Sequence, residues 1–433
     1  MNNLLRKSID FQPWTRASAL LVAVSLVAAC TNQDRKPQYT MDSKSCVTVG
    51  QWVNPVGTKP VTSREVFDQA LQGRVILLGE THTTADHHRW QLHTLAALHQ
   101  RRSDMVIGFE AFPRKAQPVL DDWIAGVLSE KEFLEKVRWY EVWSYDPNLY
   151  MPLFHFARLH KVPMVALNVE RSLVSKLRKE KWSEIPVEQR EGVSEPAPAP
   201  EALKRRLAEV YLDHMSGFAP EKESRPETKE GDSVNIESVM EEPGFNGFVA
   251  SMLLWDRAMA EALKNASDIK GKPIVVGIVG TGHLQYGDSI PYQLASMGVR
   301  DVSVLLPWNV DKNCGGLVSD NASPIASAVF GMSPMEAPAK PEGPKLGVMI
   351  EKTEGGVRIG KVLDDSIAKA SGIVVGDIIT KAAGVEVTIS HGLVQIISRQ
   401  APGTWLPLTL LREGKQIELI AKFPVRKVHA KKP

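Results

Sequence analysis

The sequence predicts an α/β domain with a parallel sheet flanked by helices and interrupted by a helical excursion, followed by a small, mostly-β domain. Three observations predict it. Apolar runs bounded by polar residues alternate with helical patterns from about Val49 to Lys312, the signature of a parallel sheet with crossover helices. The stretch 183–243 breaks that alternation with Pro196-Ala197-Pro198-Ala199-Pro200 and a charged run from Glu221 to Asp232. After a segment rich in Ala, Ser, Pro and Gly, short strand-like runs separated by turn signals occupy 345–424.

The chain of 433 residues is long enough for two domains, and its 43% hydrophobic content supports a large core. Residues 1–29 have the anatomy of a secretory signal: Arg6, Lys7 and Arg16 precede an apolar stretch from Ala17 to Ala29 that is short for a bilayer span. The run Val27-Ala28-Ala29-Cys30 resembles a bacterial lipobox, which implies lipidation of Cys30, anchoring to a membrane of the bacterial cell envelope and, with Thr31 following, outer-membrane sorting. The formal charge of +2 comes from residues 1–29, so the remainder is neutral and has no basic excess for nucleic acid. Residues 30–48 read as a polar tether, 49–312 as the α/β domain, 313–344 as a linker and 425–433 as a basic tail. Cys46 and Cys314 flank the α/β domain; in an oxidising compartment they either pair or remain free thiols.

Four strand runs end in polar residues. Val75–Leu78 leads to Glu80 and His82, Met105–Phe109 to Glu110, Val162–Leu167 to Asn168, and Ile274–Gly280 to His283. Ligands of open parallel sheets bind beyond the carboxyl ends of the strands, so these residues are expected around one crevice. His88, near the start of the following helix, is placed to reach it, and a buried Glu110 needs a partner, for which Arg114 or the histidine cluster could serve. A carboxylate beside an imidazole tunes both pKa values and also suits a divalent metal, for which Glu80, His82, Glu110 and His283 would be the ligands. The stripe Phe248, Met252, Trp255 and Met259 reads as core, and Glu201–Met215 as a helix within the excursion. No nucleophilic Ser or Cys motif is present, so a covalent mechanism is not supported.

Lys345-Leu346-Gly347-Val348, together with the run from Ser366 to Ile379, resembles a PDZ domain of the bacterial protease-associated kind. The resemblance implies that Leu346, Gly347 and Val348 capture a peptide carboxylate, that the adjacent edge receives a protein C-terminus or extended peptide, and that a helix over Ser390–Ser398 walls the groove. Gly79-Glu80-Thr81-His82 with His88 and Gln91, Gly108–Phe112 with Gln117, Tyr150-Met151-Pro152-Leu153, Asn168, and Gly280–Gly287 resemble the ChaN-like lipoproteins of the Tiki and erythromycin-esterase-like group. That resemblance implies haem binding through a tyrosine at a homodimer interface and a role in iron acquisition. Tyr211, with His214 one turn later, and Tyr150 are the ligand candidates, with Tyr145 an alternative. Two other readings stand beside it: a metal-dependent hydrolase using the strand-end pocket, and a non-enzymatic envelope scaffold organised by the PDZ segment.

Overall fold

The computed structural model describes residues 46–217, 236–319, 321–334, 344–353 and 355–425. The expected signal segment 1–29, Cys30 and almost all of the expected tether 30–48, the His214 side chain and the residues beyond Val425 lie outside the described residues.

Among the described residues, fourteen strands make two sheets. The first contains β1 (Trp52–Asn54), β2 (Lys59–Val61), β3 (Val75–Glu80), β4 (Met105–Pro113), β5 (Met164–Asn168), β6 (Ile274–Gly280), β7 (Val302–Asn309) and β8 (Ala328–Met332). Their spatial order is β2-β1-β8-β7-β3-β6-β4-β5. The six strands from β8 to β5 pair in parallel, while β1 pairs antiparallel with β2 and β8. Strands β3, β4 and β6 are buried along their whole lengths, which explains why they read as continuous apolar runs rather than alternating ones. Helices cover both faces. Trp90, Leu95, Leu120, Trp123 and Phe154 pack on one; Met259, Leu263, Ile290 and Leu294 pack on the other.

The sheet extends further than the sequence suggested. Residues from 313 do not start a linker: Cys314 bonds to Cys46, with Cα atoms 5.9 Å apart, and β8 then returns beside β7. The 326–332 run is short and contains Gly331, so it carries little strand signal of its own. The excursion packs its helix Glu201–Gly217 against Phe245 and Val249 of the long helix Pro243–Asp268.

The second sheet contains β9 (Val348–Thr353), β10 (Gly356–Val362), β11 (Ile378–Ala382), β12 (Val385–Glu386), β13 (Trp405–Arg412) and β14 (Lys415–Lys422). All its pairings are antiparallel, in the order β14-β13-β11-β10-β9, with β12 on β11. Leu346, Val357, Ile359, Ile379, Leu393, Leu406 and Leu408 form its core. Strand β9 is an edge, and the helix Ser390–Ser398 packs near it.

Candidate functional site

The order β3-β6-β4-β5 makes the four polar strand ends neighbours. Glu80 is the last residue of β3 and lies in register with Gly280 of β6. Pairing of β4 with β6 stops at Phe109, so Glu110 is the first side chain free to turn into the crevice. There its Oε2 accepts the Gly280 N–H at 2.6 Å. Asn168, from the end of β5, donates to the Glu110 carbonyl at 3.2 Å.

Glu80 is buried at 3% exposure. Its Oε1 accepts from the Tyr150 hydroxyl at 2.5 Å and from His82 Nδ1 at 2.8 Å, and His88 Nδ1 lies 3.1 Å from Oε2. Burial alone would push the Glu80 carboxyl up; the hydrogen bonds and charges of His82 and His88 outweigh it and hold the group at about 2. His82 responds in the opposite direction. Burial disfavours its cation, but the bond to Glu80 and the charge of Glu110 win, and its pKa is raised. Its ring stands against Trp143 and Tyr145, with centroids 4.7 and 5.0 Å away.

A second carboxylate–imidazole pair faces the first. His283 Nδ1 bonds to Asp256 Oδ1 at 2.6 Å, and His283 Nε2 lies 3.7 Å from Glu110 Oε1. Burial opposes the His283 cation, yet the Asp256 charge and hydrogen bond push it up to about 9. Asp256 is itself raised, because burial outweighs the imidazolium beside it. The two imidazoles thus each have Nδ1 bound to a buried carboxylate, and Glu110 is the acceptor common to their surroundings. This arrangement orients rings and holds protons at fixed atoms.

The crevice opens into a cavity of about 480 Å3. Trp143, Tyr145 and Trp255 supply aromatic walls, Arg138 and Arg171 supply cations, and His82, Glu110, Asn168 and His283 lie among the lining residues.

Several expected residues go elsewhere. Arg114 does not pair with Glu110. The register shift between Phe109 and Pro113 carries it past the crevice, and it donates to the carbonyls of Glu191 and Ala258 and pairs with Glu261. Tyr150 is buried behind Glu80 rather than exposed to the cavity. The Tyr211 ring packs on Phe245 and Phe248. The four-residue metal set also does not converge. Glu80 Oε1 and the Nδ1 atoms of His82 and His283 are already bonded within the protein, and among the described residues no group of three or more His, Cys, Asp or Glu could hold a metal ion.

The sequence reading missed Asp256 and the wall residues Trp143 and Trp255. Asp256 had one signal: it is the first charged residue after Glu242, inside an otherwise apolar helical run.

In the second domain, Leu346 is buried, and Gly347 has φ of +76°, where a Cβ would come within 2.4 Å of Ser366 Cβ. Only glycine fits there, which leaves the backbone free to form the loop leading into β9.

A parallel sheet with polar strand ends around an aromatic cavity is thus joined to an antiparallel domain with an open edge strand. The family described as "Haem-binding uptake, Tiki superfamily, ChaN" matches residues 66–294, more than half of the sequence, and the chain belongs to that family. A PDZ domain matches residues 344–422. Among solved structures, the chain is similar to ChaN of Campylobacter jejuni, described with cofacial heme binding, at 16% identity and TM-score 0.47, covering 64% of this chain and 95% of that one. It is also similar to a serine endoprotease from Yersinia pestis, at 29% identity and TM-score 0.17, over 19% of this chain and 29% of the protease. The HtrA3 PDZ domain bound to the phage-derived ligand FGRWV is similar at 19% identity and TM-score 0.17, over 18% of this chain and 83% of that domain. None of the curated proteins compared with the chain matches it.

Proposed function

We propose that this chain binds haem in its strand-end cavity and holds a partner's C-terminus or an extended peptide in its PDZ groove, as an envelope lipoprotein serving iron acquisition. The observation that carries the haem assignment is the cavity itself. Its aromatic walls suit a flat apolar macrocycle, and Arg138 and Arg171 suit its carboxylates. Tyr145 and His82 are lining residues with oxygen and nitrogen donors able to approach the iron. Haem would supply the iron chemistry; the protein's part is to bind and orient it. Tyr211 and His214 belong to the excursion and would serve only if haem bound there, between copies of the chain.

The test is a hemin titration followed by absorbance, using the Cys30→Ser chain. A saturable Soret change that weakens in Tyr145→Phe and survives in Tyr211→Phe supports the cavity. The reverse pattern moves haem to the excursion and favours the homodimer.

The PDZ reading is supported by the open β9 edge and the Gly347 turn. A fluorescent FGRWV peptide provides the probe: binding lost on Gly347→Val supports it, and no binding by peptides with apolar C-termini opposes it. Lipidation at Cys30 is tested by fractionation: the wild-type chain sediments with membranes and Cys30→Ser does not.

A further inference from the structure

The segment 138–146 stands between the cavity and the PDZ domain. Its helical part, Trp139–Val142, is a single turn. Arg138 before it and Ser144 within the segment have φ of 53° and 72°, a region that non-glycine residues rarely adopt. Such backbone persists only when surrounding contacts over-determine it. Trp139 supplies the first contact: it is fully buried, and its Nε1 donates to the Tyr145 carbonyl at 2.7 Å. Arg171 supplies the second, donating to the Val142 carbonyl at 3.1 Å from the cavity side.

The third contact comes from the PDZ domain, which lies in the same compact unit (residues 43–433). Arg399 caps the end of the Ser390–Ser398 helix, the wall of the peptide groove. Its Nη1 donates to the Tyr140 hydroxyl at 3.1 Å, its guanidinium lies 5.4 Å from the Tyr140 ring centroid, and its Nη2 lies 3.0 Å from Asp146 Oδ1. Gly392, two turns earlier on the same helix, faces Tyr140 as well; a Cβ there would be in ordinary contact, 3.7 Å from Tyr140 Cβ. Leu393, Ile396 and Ile397 enter the PDZ core, which leaves Val394, 48% exposed, on the open side of the helix. A cavity of about 460 Å3 lies at this junction, between Arg138–Glu141 and Lys381–Thr388.

We propose that the PDZ groove helix braces the 138–146 wall of the strand-end cavity through Arg399, Tyr140 and Asp146, so that a peptide in the groove and a ligand in the cavity change each other's affinity. The proposal rests on the reading above that both sites bind. A peptide touches the open side of the helix whose other side holds Tyr140. Trp143 and Tyr145, on the same wall, touch His82. Coupling of this kind is reciprocal by thermodynamic necessity.

The experiment titrates hemin into the full chain with and without saturating FGRWV peptide, in wild type, Arg399→Ala and Arg399→Lys. Hydrogen exchange of the 138–146 amides is measured in parallel. The expected result is a change in hemin affinity of about fivefold on adding peptide, with an equal change in peptide affinity on adding hemin. The change should vanish in Arg399→Ala, which still binds each ligand, and return in part in Arg399→Lys. Equal hemin affinity with and without peptide in wild type overturns the proposal, as does undiminished coupling in Arg399→Ala. If hemin does not bind, the haem reading fails, and exchange at 138–146 decides the coupling: peptide must slow it in wild type and not in Arg399→Ala. If the peptide does not bind, the groove reading fails, and Arg399→Ala alone must speed exchange at 138–146.

Discussion

Asp256 and His283 come from the Pro243–Asp268 helix and the turn after β6, and their side chains meet at 2.6 Å, Asp256 fully buried and His283 largely so. The contact places a proton on His283 beside Glu110. Asp256→Asn is expected to return the His283 pKa from about 9 toward its ordinary 6.5 or below, read as a shift of the imidazole resonance in a pH titration. An unmoved resonance would show that Asp256 does not set the charge of His283.

The same pairs give stability a pH dependence at both ends. His283 has a folded-state pKa above its unfolded value, so its contribution is fully present below pH 6.5 and is lost as pH rises through about 9. Glu80 is depressed, so its contribution is present above pH 4.5 and is lost as pH falls through about 2. Urea unfolding from pH 2 to 10 should show both flanks, and Asp256→Asn should flatten the alkaline one.

Tyr150→Phe removes the 2.5 Å hydrogen bond to Glu80 with almost no change of volume. Leaving that buried carboxylate short of a donor should cost about 1–3 kcal/mol, measured by denaturant unfolding near neutral pH. A cost near zero would mean that His82 and His88 satisfy Glu80 unaided.

Gly280→Ala tests the close approach of His82 to β6. A Cβ there would lie 2.8 Å from His82 Cε1 and 3.3 Å from Glu110 Oε2. A rigid ring held by Glu80 can yield only by leaving that carboxylate, so the substitution should displace His82 and weaken hemin binding while the chain stays folded. Unchanged hemin affinity would separate His82 from the ligand site.

Reduction, or Cys314→Ser, opens the Cys46–Cys314 link, which closes most of the α/β domain. The expected loss is roughly 2–4 kcal/mol by chemical denaturation. A similar melting temperature with and without reductant would contradict it.

Much of this site is legible in the sequence because sheet geometry does the placing. Glu80, His82, Glu110, Asn168 and His283 each follow an apolar run, and adjacency of the parallel strands is enough to bring them together. What failed depends on partners that strand ends do not specify. Asp256 sits in a helix whose apolar stripe announces only core, and its target is a loop after β6. Arg114 was matched to Glu110 by nearness in sequence, but the irregular end of β4 sends it to Glu261. Strand β8 was hidden because it is short and pairs across a connection from β7. The bracing of Tyr140 by Arg399 spans 259 positions and carries no local signal.

Haem in the strand-end cavity, as proposed, would put an iron atom there. Anomalous scattering at the iron edge from crystals of the hemin-loaded chain locates the metal directly. An iron peak is expected inside the cavity walled by Trp143, Tyr145 and Trp255. A peak beside Tyr211, with the cavity empty, would contradict it.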